Sequence, residues 1–148
     1  MPFQDDFTAI VLEEHNLICT AWLHSVNSAY FREAMLSAYQ CIKDQNLKLW
    51  LIDSSMHNPI AQDQKWQVEE LGQLLQSTSL KKVALVHNDD LLIELVGEIM
   101  IEKAIHAYGP RFELQACCTV HDALEFLLPG YDSNLLSYQL KSTASQLK

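Results

Sequence analysis

The feature that most constrains the fold is a short apolar run closed by an acid and two hydroxyls, residues 47–55, LKLWLIDSS. Its apolar residues predict a sheet strand over 47–53. The polar residues Asp53, Ser54 and Ser55 then stand at the carboxyl end of that strand. In open α/β sheets ligands and chemistry collect at this edge. The same stretch therefore predicts both a central strand and a candidate functional loop.

The patterns on either side of this run alternate between strand and helix. Residues 7–13 and 17–23 are β-rich runs joined by three polar residues, which is typical of an antiparallel hairpin. Further periodic segments predict four helices, over 28–44, 64–77, 89 to about 108 and 121–128. Two more strands are predicted over 81–87 and 112–119. The expected fold is a single-domain α/β protein, with a mostly parallel mixed sheet of about five strands, one of them antiparallel, and about four helices.

Domain boundaries and helix ends are indicated by individual residues. Asn27 or Ser28 can cap the first helix, and Asn46 can end it. The domain is expected to cover 1–130, and the Ser-, Gln- and Lys-rich stretch 131–148 to form a polar C-terminal tail or docking arm.

Composition excludes several classes of function. The 148 residues are 49% hydrophobic and 20% charged, as in a folded globular protein, and the formal net charge is −9. Nucleic-acid binding is disfavoured because phosphate contacts need clustered Lys and Arg. No run is long and apolar enough for a signal peptide or a membrane span. The four cysteines have no CxxC spacing, which favours thiols in a reducing compartment, so we expect a cytoplasmic protein.

The order of elements, with Leu-Ile-Asp-Ser-Ser closing the third strand, resembles the STAS fold of the anti-anti-sigma factors and sulfate-transporter tails. It is more similar to the bacterial STAS-like group that shares a superfamily with lipid-binding Sec14-type domains. The stretches that carry this resemblance are 50–53, WLID, 63–66, DQKW, and 81–86, KKVALV. In the anti-anti-sigma factors a serine at the start of the next helix accepts a phosphoryl group from a partner kinase. The resemblance thus implies a candidate phospho-acceptor or interaction loop at Asp53, Ser54, Ser55 and His57. The phospho-acceptor proteins usually carry Gly after the serines, whereas residues 56–59, MHNP, stand here.

Catalytic and metal sites find little support in the pattern. Serine, histidine and aspartate are present near the edge, but no Gly-x-Ser-x-Gly elbow occurs. Histidines 24, 57, 87 and 121 could all reach the same edge, yet none has ligand spacing such as HxxxH. With four glycines and no Gly-rich loop after a strand, a nucleotide fingerprint is absent. We therefore expect no enzyme activity, no metal and no cofactor.

Acids at 90, 94, 98 and 102 recur every four residues and are best explained as a solvated helix face.

Two functions remain as the main hypotheses, and a hydrolase-like activity is kept as a minor third. The first is a non-enzymatic STAS-like regulatory or protein-interaction domain, a homodimer or the binder of a protein partner, that acts through the loop and helix after the third strand. It predicts Ser54 or Ser55 at a helix N-terminus and no large cavity. The alternative is a small apolar-ligand, lipid-like binding domain with a cleft near Trp50, Trp66 and His87. It predicts an apolar pocket of roughly 300 Å³ or more between the Trp66 helix and the third helix.

Overall fold

A computed structural model describes residues 6–87, 99, 102–103, 106 and 111–146, with side chains up to Lys141. The described strands are β1 (Phe7–Leu12), β2 (Leu17–Trp22), β3 (Leu49–Asp53), β4 (Lys82–Val86) and β5 (Glu113–Cys117). They form one sheet in the order β1-β2-β3-β4-β5; β1 and β2 pair antiparallel and the other pairs are parallel. The predicted fold class is confirmed.

The hairpin and the first helix follow the signals in the sequence. A 3₁₀ turn, Glu13–His15, joins β1 to β2, and Asn16 takes the left-handed conformation at φ 53°. Helix α1 spans Ser28–Gln45. The Asn27 side chain accepts the Tyr30 N–H at 2.9 Å, and Asn46, at φ 52°, ends the helix. Both asparagines therefore cap helix α1 as expected.

The second helical segment differs from its prediction. Helix α2 spans Ala61–Trp66, a π-helical turn covers Gln67–Leu71, and α3 spans Gly72–Leu75. The start at Ala61, three residues before the predicted one, has no side-chain cap on Ile60. A helix start without a capping side chain leaves no signal in the sequence, which explains the difference.

Helix α4 spans Val120–Leu127 and α5 spans Ser133–Gln146. Thr119 caps α4 by accepting the Asp122 N–H at 3.1 Å. In α5, Leu136 is 2% exposed and packs in the core. The predicted third helix, from 89 to about 108, lies outside the described residues apart from positions 99, 102, 103 and 106, and so do acids 90, 94 and 98 of its stripe.

The sheet separates two apolar layers. Alternate residues such as Ile18, Trp22 and Trp50 face α1, α2 and α3 in one cluster. Their neighbours, such as Cys19 and Leu51, face α4 and α5 in the other cluster. This follows from the period of two along a strand, which sends successive side chains to opposite faces.

Candidate functional site

The loop after β3 begins with a turn built on Asp53. One carboxylate oxygen, Oδ1, accepts the backbone N–H of Ser55 at 3.0 Å and the Ser55 hydroxyl at 2.6 Å. Such side-chain bonds two residues on are characteristic of Asx turns. Asp53 thus sets the direction in which the chain leaves the sheet.

The two serines do not stand at a helix N-terminus, so that expectation is wrong. Helix α2 begins only at Ala61, because residues 54–60 first cross the edge of the sheet. The N–H of Ser54 donates to the Val86 carbonyl at 2.8 Å, which continues the β3–β4 pairing by one residue. Ser54 is buried and Ser55 is half-buried. Of the two hydroxyls, that of Ser55 is the more accessible.

His57 anchors the middle of this loop in the apolar layer that contains Trp22, Phe31 and Trp50, here called the aromatic layer. Its ring is 7% exposed, with its centroid 5.3 Å from that of Trp22 and 5.5 Å from that of Phe31. The Val26 N–H donates to Nδ1 at 3.4 Å, and the buried Nε2 has no hydrogen-bond partner within the described residues. Burial lowers the pKa of the imidazole, while the nearby Asp63 carboxylate acts in the opposite direction.

A second polar cluster, which sequence reasoning missed, fastens α2 to α1. Asp63 is 2% exposed and accepts the Ser28 hydroxyl at 2.6 Å and the Arg32 Nε–H at 3.0 Å. The Arg32 guanidinium also lies 5.5 Å from the centre of the Trp66 ring. Asp63 precedes Trp66 by three residues and so shares its buried helix face. That spacing was the available signal for this cluster.

Of the three residues proposed for an apolar cleft, Trp50 and Trp66 belong to the same core cluster, and no single pocket in the described part of the chain is lined by all three. Trp50 is wholly buried, and its indole N–H donates to the Thr20 hydroxyl at 3.0 Å. It lines an apolar pocket of about 60 Å³ between the sheet and the α2–α3 segment, a pocket whose described lining includes neither Trp66 nor His87. His87 is buried at the end of β4, where its N–H donates to the Cys117 carbonyl at 3.1 Å.

A larger groove of about 450 Å³ runs between α2 and residues 99 and 103, where the alternative hypothesis expects an apolar pocket. Its described lining combines the polar side chains of Gln64, Lys65, Glu69 and Lys103 with the apolar side chains of Ala61, Val68 and Ile99.

The four histidines of the edge have separate partners or surroundings. In the part of the chain that the structure describes, no group of three or more His, Cys, Asp or Glu side chains is arranged to hold a metal ion. His24 pairs with Asp6. His121 Nδ1 lies 2.8 Å from the Ser133 hydroxyl, and His121 Nε2 lies 3.2 Å from Glu125.

This Ser133–His121–Glu125 set contains the residue types of a catalytic triad. Ser133 is 7% exposed, and its hydroxyl is hydrogen-bonded to the imidazole of His121. The set joins α4 to α5.

Comparison with known proteins adds no identification: no family model, no curated protein and no solved structure matches this chain. Among the described residues, no helix has both the length and the apolar character required to cross a membrane.

Proposed function

We propose that the protein is a non-enzymatic, STAS-like regulatory domain that pairs with a second copy of itself through the loop after β3 and the start of α2. The surface involved, here called the edge surface, consists of residues 23–27 and 54–62. The observation that carries the proposal is the exposure of three apolar side chains on it: Leu23 is 39% exposed, Met56 58% and Ile60 56%. Exposed apolar side chains grouped at one edge are typical of protein interaction sites.

Charge favours the edge surface as the place where two copies meet. The chain has a formal net charge of −9, so two copies repel one another over most of their surfaces. Neither 23–27 nor 54–62 contains Asp, Glu, Lys or Arg. These two segments therefore offer apolar area without a carboxylate, ammonium or guanidinium of their own, and the Asp6 carboxylate that pairs with His24 lies outside them.

The edge surface is also held in place before any partner binds. Its two loops are joined by the hydrogen bond from the Val26 N–H to His57, and Ser54 is bonded to the β4 backbone. His57, which lies between Met56 and Ile60 in the sequence, packs against the rings of Trp22 and Phe31. A surface with fixed backbone loses less conformational entropy on association, which supports a role in binding.

Regulation would act through Ser55. A phosphate there adds negative charge beside the Asp53 carboxylate, whose Oδ1 accepts the Ser55 hydroxyl. Repulsion between the two groups opens the turn and displaces the loop. Phosphorylation by a partner kinase, which the family resemblance implies, thus weakens association in this proposal.

The cysteines support a reducing compartment. Cys19, Cys41, Cys117 and Cys118 are all free thiols, and Cys19 and Cys117 are buried. We accordingly place the protein in the cytoplasm.

Sedimentation equilibrium of the purified protein tests the proposal. The wild type should self-associate, and the double variant Met56→Lys/Ile60→Lys should be monomeric with an unchanged melting temperature, since both side chains are exposed. Leu36→Lys is the matched control, because Leu36 is 40% exposed on α1, outside the edge surface. A wild type that stays monomeric up to about 1 mM, the weak limit of specific association, contradicts the proposal.

A further inference from the structure

The sheet face opposite the aromatic layer contains a cavity of about 340 Å³ that opens to solvent beneath α4 and α5, which differs from the absence of a large cavity that the interaction-domain hypothesis predicts. Its floor consists of two rows of side chains that run across β1, β2 and β3. Strand register aligns Ile10, Cys19 and Leu51 in one row, and Thr8, Ala21 and Asp53 in the other. The first row is apolar and the second ends at a carboxylate.

The cavity owes its depth to the small residues of β2. Cys19 and Ala21 occupy the middle of the two rows, with larger side chains on either side. The same strand sends Ile18 and Trp22 to the opposite face, where they fill the aromatic layer. A small side chain beneath a roofing helix leaves space that a Leu or Phe would occupy.

The roof adds a positive charge. Val120 of α4 lines the cavity together with Ser137, Leu140 and Lys141 of α5, and the three α5 residues share one face because they lie three and four positions apart. Asp53 and Lys141 therefore belong to the floor and the roof of the same cavity, and no ion pair joins them in the described part of the chain. The contacts described for Asp53 involve Oδ1 alone, and a carboxylate has a second acceptor oxygen.

From this arrangement we propose that the cavity binds a free apolar α-amino acid, with its ammonium group at Asp53, its carboxylate at Lys141 and its side chain over the apolar row. At about 30 Å³ for each water molecule, the volume corresponds to roughly eleven waters, which matches a ligand of about a dozen heavy atoms. Pockets of this size with an apolar floor and few polar groups are characteristic of small-molecule sites.

The two opposite charges select the class of ligand. A fatty or aromatic carboxylic acid is attracted by Lys141 but repelled by Asp53. A simple amine is attracted by Asp53 but repelled by Lys141. A zwitterionic head group can pair with Asp53 through its ammonium group and with Lys141 through its carboxylate. The inference does not require association through the edge surface, because Met56 and Ile60 do not line this cavity, but Asp53 contributes to both the cavity and the loop of that surface.

Isothermal titration of the full chain with three probes of the same apolar body tests the assignment: L-phenylalanine, 3-phenylpropionate and phenethylamine. We expect L-phenylalanine to bind with a Kd of about 1 mM or lower, and each of the other two to bind about tenfold more weakly. Asp53→Asn, whose amide oxygen can still accept from Ser55, should weaken L-phenylalanine about tenfold and strengthen 3-phenylpropionate. Lys141→Gln should likewise strengthen phenethylamine.

A substitution that fills the cavity tests whether the ligand binds there. Ser137→Leu places a larger side chain in the roof and should abolish binding of L-phenylalanine, and Asn134→Leu, at an exposed position of the same helix, should leave it unchanged. Circular dichroism confirms that both variants retain the fold. The proposal is overturned if L-phenylalanine does not bind, if 3-phenylpropionate binds the wild type equally well, or if Ser137→Leu leaves the Kd unaltered.

Discussion

The imidazole of His57 should make folding stability depend on pH. Because burial lowers its pKa below the ordinary value of about 6.5, the unfolded chain takes up a proton at a pH where the folded protein does not. The contribution of His57 to the free energy of unfolding is therefore fully present above about pH 6.5. It decreases as the pH is lowered, until the imidazole of the folded protein is protonated too. For one proton taken up only by the unfolded chain, the loss between pH 7.5 and 5.5 is at most about 1.4 kcal/mol. The Asp63 carboxylate, which favours the imidazolium, keeps the true loss below that limit.

Urea unfolding followed by tryptophan fluorescence at pH 7.5, 6.5 and 5.5 measures this loss. His57→Phe keeps an aromatic ring between Trp22 and Phe31 but cannot titrate, so its loss over the same range should be smaller than that of the wild type. His106→Phe removes an exposed imidazole and serves as the control. If His57→Phe and the wild type lose equal stability between pH 7.5 and 5.5, the buried imidazole is not the source and the reasoning is refuted.

Three further substitutions test the contacts that hold the fold, each by chemical unfolding. Trp50→Phe removes the indole N–H that donates to Thr20 in the core and should cost about 1–3 kcal/mol; a cost near zero would contradict a tight core there. Asp63→Asn removes the charge that binds two side chains of α1 and should cost about 1–3 kcal/mol, whereas the exposed Asp44→Asn should change little. Asn46→Ala should cost about 1 kcal/mol because its φ of 52° is left-handed, and Asn46→Gly should not; equal effects of the two would exclude a conformational origin.

The fold class was predictable because its signals are local. Strands appear as short apolar runs, and the ends of α1 are marked by Asn27 and Asn46, whose side chain and backbone act within a few residues. The carboxyl edge could also be located, since the order of strands and helices determines which strand ends meet there.

The side-chain contacts around this edge of the sheet were less predictable, because they join residues that are far apart in the sequence. Asp63 is buried through partners 31 and 35 positions away in the sequence, Arg32 and Ser28; its spacing to Trp66 indicates a shared helix face but does not identify these partners. The length of the loop before α2 was likewise hidden, because Ile60 provides no capping side chain. The cavity exists only because α5 packs across β1, and the stretch that forms α5 has a weak apolar pattern whose most deeply buried residue is Leu136.

The unequal sizes of alternate residues in β2 explain why the two faces of one sheet differ. Ile18 and Trp22 fill the aromatic face, so that shortening either side chain there opens a void and lowers stability. Cys19 and Ala21 leave the other face incompletely filled, so that lengthening a side chain there occupies existing space. Asp53 stands at the carboxyl end of the next strand and belongs to both regions: its carboxylate directs the loop of the edge surface and also lines the cavity. The sheet thus supports a rigid edge through its densely packed face and retains room for a ligand on the other.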